Sequence, residues 1–198
     1  MKKAILVAAL AAVAAGTVAA QQSPWMVRAR AVNLIMENKD EVAGGALALS
    51  VNNKVIPEVD VSYFFTNNIA AELILTVPQR QQVLSNGTEI GSFNHLPPTL
   101  LLQYHFTDFT GFKPYVGFGY NYTKFTSENI LGGAASMSSS STGSAYQLGV
   151  DIPLDKQWSL NIDYKKVNLK TDVYTGGANA GTLKVNPGLV GVGVGYRF

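Results

Sequence analysis

The chain has no cysteine and only two histidines in 198 residues. A disulfide-stapled fold and a thiolate zinc site are therefore excluded. Charge is scarce too, at 14% of residues against roughly 25% in ordinary soluble domains. So apolar a chain is not disordered, and its length suits a single domain. Beyond the first 20 residues no apolar run is long enough to cross a bilayer as a helix. The formal charge of +2 includes Lys2 and Lys3; without them 13 basic residues face 13 acidic ones, so nothing marks a general nucleic-acid binder.

What is present begins with a leader. Lys2 and Lys3 precede an apolar stretch over 4–15, and Val18-Ala19-Ala20 offers small residues for cleavage before Gln21. Residues 1–20 are read as a secretory signal peptide rather than an anchor, and residues 21–198 as one exported domain. With no cysteine to carry a lipid, that domain is periplasmic, secreted or held in a bacterial outer membrane.

The exported domain alternates with period two, the mark of strands with one apolar face. Val190, Val192, Val194, Tyr196 and Phe198 oppose Gly191, Gly193, Gly195 and Arg197. The same pattern recurs around Trp25–Ala31, Val59–Phe65, Ile69–Val77, Leu100–Phe106, Val116–Tyr122, Tyr146–Ile152 and Trp158–Tyr164. Eight strands result, each near the roughly 9–11 residues that cross a bilayer at a tilt. Short connections at 66–68, 107–112 and 153–156 alternate with long ones at 33–54, 79–95, 124–141 and 170–186. Short turns at one rim and long loops at the other are the layout of an outer-membrane barrel. A soluble eight-stranded barrel would place apolar residues inside and charges outside. Here the uncharged face is broad and aromatic, and aromatics collect at the strand ends near the short turns, as in an interfacial girdle.

The opening Pro24-Trp25-Met26-Val27-Arg28-Ala29-Arg30 and the run Pro57-Glu58-Val59-Asp60-Val61-Ser62-Tyr63-Phe64-Phe65-Thr66 carry a family likeness. So do Leu96-Pro97-Pro98-Thr99-Leu100, Gln103-Tyr104-His105-Phe106, Lys113-Pro114-Tyr115-Val116-Gly117 and the closing Gly195-Tyr196-Arg197-Phe198. The mature chain resembles the outer-membrane protein W (OmpW) family throughout, strongly in the strands and weakly in the long loops. The resemblance implies an eight-stranded antiparallel transmembrane barrel that passes small hydrophobic molecules. Terminal Phe198 resembles the signal read by the barrel-assembly machinery during biogenesis.

An eight-stranded barrel has an interior only wide enough for side chains. The inward set holds Arg28, Arg30, Glu58, Asp60, Glu72, Asp151, Asp163, Lys165 and Arg197. Unpaired charges there would be costly, so a paired salt-bridge plug is expected, with charge selection of a permeant ion as the alternative. Ile56, Ile74, Leu101 and Leu189 break the polar rule, either as space-fillers or as an apolar vestibule above the plug. Pro78, Pro97 and Pro98 lack ladder donors. They either end strands or mark a gap between the third and fourth strands.

No Ser/His/Asp spacing and no carboxylate–histidine cluster stands out, so no catalytic site, metal or cofactor is expected. Gly191, Gly193 and Gly195 alternate within a strand and no helix follows, which rules out a nucleotide loop. The expected partners are outer-membrane lipid and small hydrophobic solutes, with no nucleic acid and a monomeric state. The competing reading is a closed structural or ligand-binding barrel that acts through its extracellular loops.

Overall fold

The computed structural model describes residues 23–198; the leader assigned to 1–20 lies outside the described residues. In chain order the strands are β1 (Trp25–Ile35), β2 (Lys39–Asp40), β3 (Leu49–Val51), β4 (Lys54–Phe64), β5 (Ile69–Thr76), β6 (Gln79–Ser85), β7 (Thr88–Leu96), β8 (Thr99–His105) and β9 (Lys113–Ile130). Then follow β10 (Ala135–Met137), β11 (Ser140–Pro153), β12 (Trp158–Val167), β13 (Lys170–Thr175), β14 (Ala178–Lys184) and β15 (Gly188–Arg197). Eight of these make the wall, all antiparallel, in the order β1, β4, β5, β8, β9, β11, β12 and β15. The β15–β1 ladder, from Met26↔Arg197 to Ile35↔Gly188, closes the cylinder. Closure removes the free edges that lipid cannot satisfy.

The alternation has the sign expected from the sequence. Val190, Val192, Val194, Leu160 and Ile162 are exposed outward, while Asn161, Asp163 and Lys165 are buried inside. The short connections tie themselves with side-chain caps. Thr66 Oγ1 accepts the Asn68 and Ile69 amides at 3.2 and 3.0 Å, and Asp155 Oδ1 accepts those of Gln157 and Trp158, both at 2.7 Å. Those two amides hold the Asp155 carboxyl below its usual range. Trp25–Tyr63, Tyr104–Phe106 and Trp158–Tyr196 form edge-to-face pairs along this rim, as a girdle requires.

Gly193 shows why alternate positions on β15 are glycine: a Cβ there would fall 2.0 Å from Ala29 O. Next to it, Val192 pairs with Ala31 and Ile162, four residues above the Trp158–Tyr196 girdle and two below the Tyr164↔Val190 pair. Val192→Arg is expected to cost about 2–4 kcal/mol of folding free energy in lipid, the penalty for arginine near the midplane. Urea-unfolding midpoints in liposomes measure it; a shift as small as that of Ala178→Ser at an exposed tip would contradict the register.

The long connections lie where the sequence placed them, and much of their length is strand that adds a second storey of wall. β6 and β7 form a hairpin from Gln79↔His95 to Ser85↔Thr88, β13 and β14 another from Lys170↔Lys184 to Thr175↔Ala178, and β9 runs on to Ile130. β2 joins β14, β3 joins β6, and β10 joins β13. The outer face of this storey is polar, with Arg80, Gln82 and Glu89 exposed, so the membrane-spanning band ends near Pro78 and Pro97. Its interior is apolar: Val42, Val51, Val83, Phe93, Phe125 and Leu183 belong to one buried cluster. Asp40 clamps the 42–45 turn over the top, accepting the Val42 and Leu49 amides at 2.9 and 2.8 Å.

Candidate functional site

The lower interior is built from register. Arg28 and Arg30 project from one face of β1, and pairing sets them opposite Asp60 and Glu58 on β4. The next pair of ladders brings Glu72 beside Ser62 and Asp151 beside Asn161. Arg28 grips Asp151 with two hydrogen bonds, Nη2 to Oδ2 at 2.7 Å and Nε to Oδ1 at 3.1 Å, and donates to Ser62 Oγ at 2.9 Å. Its Nη1 also lies 3.3 Å from Asp60 and 3.4 Å from Glu72. Arg30 pairs with Asp60 and Asp163, donates to Glu72 Oε1 at 2.7 Å, and has Nε 3.2 Å from Glu58 Oε1. Lys165 Nζ bridges Glu58 at 2.7 Å and Asp163 at 2.9 Å.

Three cations thus interlock with five carboxylates, all buried. Gln103, Gln147, Asn161 and Tyr115 extend the network: Gln147 donates to Asp163 Oδ2 at 2.8 Å, and Asn161 to Asp151 Oδ1 at 2.8 Å. The expected pairing of inward charge is present. Arg197 is the exception. Its guanidinium stacks 4.0 Å from the Phe64 ring and donates Nε–H to Ser23 O at 3.0 Å, because β15 ends at the rim below the network.

Above this floor lies a small apolar cavity. Ile56, Ile74, Leu189 and Pro97 line it with Leu34, Met36 and Leu169, and Glu58 and Lys165 form its base. The space open to water centres is about 40 Å³, room for a few waters. Leu101 does not line it. On β8 it pairs with Glu72, one step lower, and is packed into the core at the level of the charges. Three of the four anticipated vestibule residues therefore meet, and the fourth supports them from below.

Met36, Leu169 and His95 carry the cavity upward into a second, narrower one among Phe93, Phe125 and Leu183. His95, expected in a loop, stands buried on β7. Burial, with Lys54 nearby, pushes its imidazole down to about 4, so it is neutral at pH 7. The sequence reading missed this upper half, although Phe93/His95 and Leu183/Val185 keep period two.

The wall beside the cavity is interrupted. The β5–β8 register runs to Ile74↔Thr99, and pairing resumes at Gln79↔His95. The wider break lies on the other flank: the β4–β5 register ends at Glu58↔Thr76, and the β3–β6 register begins at Val51↔Val83. Pro57 and Pro78 stand in that window, and at its upper end the Asn52 amide donates to Gln82 O at 3.3 Å. Lys54 Nζ donates to Arg80 O at 3.1 Å, and the Gln82 amide donates to Asn52 Oδ1 at 2.7 Å. On its far side β8 stays joined to β9, where the Pro98 carbonyl accepts the Tyr122 amide at 3.0 Å.

The sequence model of the OmpW family matches residues 14–198. The chain belongs to the OmpW family. An uncharacterized outer-membrane protein of Sinorhizobium fredii is 42% identical, the alignment covering 91% of this chain and 82% of that protein. Outer membrane protein W of Vibrio cholerae is 32% identical, over 96% of both chains. A Pseudomonas aeruginosa relative called dibenzothiophene metabolism operon protein is 26% identical, over 90% of each. Among solved structures, OprG of Pseudomonas aeruginosa superposes with a TM-score of 0.76 at 23% identity, covering 90% of this chain and 97% of that one. This OmpW-family barrel is accordingly an outer-membrane protein, with its short turns on the periplasmic side and its β-walled second storey outside the cell.

Proposed function

We propose that the barrel admits small hydrophobic molecules from outside and releases them sideways into the membrane. The observation that carries this reading is the apolar cavity perched on a sealed charged floor, beside a break in the wall. A solute that reaches Ile56, Ile74 and Leu189 gains about 25 cal/mol per Å² of apolar surface removed from water. Going further down means disrupting a buried network of eight charged groups, which desolvation strongly opposes. Lateral exit through the window at Pro57 and Pro78 leaves that network intact. The operon name of the Pseudomonas relative, a polycyclic aromatic sulfur compound's metabolism, is in keeping with an apolar cargo.

The packed upper storey favours the second reading, a closed barrel that presents its extracellular tips to ligands. One comparison separates the two. Cells making the protein should accumulate an aromatic hydrocarbon such as naphthalene several-fold faster than cells lacking it. Ile56→Asp, at matched levels of folded barrel, should remove most of that gain. Equal accumulation with and without the protein would leave the closed barrel.

A further inference from the structure

The upper cavity is lined mostly by apolar side chains, with Thr171 on β13 and, at its neck, Gln81 on β6 and His95 on β7 as the polar members. Gln81 is fully buried, yet its Oε1 accepts no hydrogen bond. Its Nε2 lies 3.5 Å from His95 Nε2, at the long limit of a hydrogen bond. With the amide nitrogen turned toward the ring, the Gln81 carbonyl is the open group. Thr76 Oγ1, in the wall of the cavity below, is also buried without a partner. Buried polar atoms are nearly always satisfied, and these two unpaired oxygens both line the passage.

We infer that the Gln81–His95 neck is a specificity site that favours apolar solutes bearing one hydrogen-bond donor, a hydroxyl or a ring N–H, over their donor-less counterparts. The inference deepens the uptake reading and rests on it for its purpose, though binding can be observed without transport. A hydrocarbon in the neck leaves the Gln81 carbonyl dehydrated and unpaired. An alcohol, phenol or indole-type ring supplies the missing proton while its apolar body lies against Phe93 and Leu183. The discrimination is asymmetric: a site built around a carbonyl penalises the solute that cannot pair with it.

The test compares indole with 1-methylindole, in which the N–H is replaced by N–CH₃. The mature protein in lipid nanodiscs is titrated with each probe at matched lipid-phase concentration, following the His95 ring C–H signals by NMR. Indole should half-saturate the shift at about tenfold lower concentration. Gln81→Met, similar in shape and without the carbonyl, should bring the ratio close to one while 1-methylindole still binds; heat-modifiable gel mobility confirms that the variant folds. Should it not fold, the ratio on the unaltered protein decides alone. Equal half-saturation, or preference for 1-methylindole, overturns the inference whatever the cells take up. A tenfold ratio in a protein that transports neither probe sustains the inference and sinks the uptake reading instead.

Discussion

Arg30→Met should destabilise the folded barrel by about 3–5 kcal/mol, as expected when one member of a buried charge network is removed and its partners stay behind. Arg30 contacts Asp60, Glu72, Asp163 and Glu58, so its loss leaves those four carboxylates to Arg28 and Lys165 alone at the centre of the floor. The methionine fills much of the volume but none of the charge. Two further variants test the cause. Adding Asp60→Asn and Asp163→Asn to Arg30→Met should recover part of the loss, since excess negative charge goes too. Lys184→Ala, which breaks a half-exposed pair with Glu41 at 2.7 Å, should cost under about 1 kcal/mol. Urea unfolding in liposomes measures all three. An Arg30→Met cost as small as that of Lys184→Ala would mean that the floor is hydrated and not sealed.

The lower barrel was legible in the sequence because lipid outside and a narrow lumen inside impose one rule on every strand. Val192 or Leu148 outward, with Asp163 or Gln147 inward, is a pattern that only a membrane barrel produces. The upper storey obeys the opposite rule. Beyond Pro78 the outer surface meets water, so Arg80 and Gln82 turn outward while Gln81, Val83 and Phe93 turn inward. The sign of the alternation reverses within one continuous hairpin, and a reader tracking the first sign sees only an irregular polar loop.

The parity slips as well. β5 buries even-numbered residues such as Glu72 and Ile74, whereas β6 buries odd-numbered ones, Gln81 and Val83. β4 and β3 slip in the same way, from Ile56 to Val51. Two facing one-residue slips keep the neighbouring strands in step above and below, and leave the ladder broken between. The prolines flagged this region from the sequence. They could not show that the wider break lies toward β4, because that depends on the slip in β3–β4, where Asn52 and Asn53 look like an ordinary turn. Leu101 was assigned to the vestibule for a similar reason: parity shows that it points inward, but height along the barrel axis follows only from its pairing with Glu72.

The break provides the decisive experiment on lateral exit. The chain has no cysteine, so a pair introduced across the window is the only thiol pair in the molecule. The β4–β5 register, continued past Glu58↔Thr76, sets Pro57 opposite Val77, and both are exposed on the outer face. Facing outward side chains on antiparallel strands have Cβ atoms about 4.5–5.5 Å apart, within reach of a disulfide after a slight approach. Pro57→Cys with Val77→Cys should therefore oxidise readily and hold the window shut. Naphthalene accumulation should fall to the level of cells lacking the protein, and a reductant should restore it. The matched control is Val59→Cys with Leu75→Cys, which face each other two pairs lower in the intact ladder, where a bond ties strands already joined. Its oxidation should leave uptake unchanged, which separates closure of the window from a general stiffening of the barrel. Full uptake by the oxidised Pro57–Val77 pair would exclude this window as the exit and return attention to the β5–β8 flank at Pro97. Loss of uptake in both oxidised pairs would instead mean that exit needs the whole wall between β4 and β5 to move.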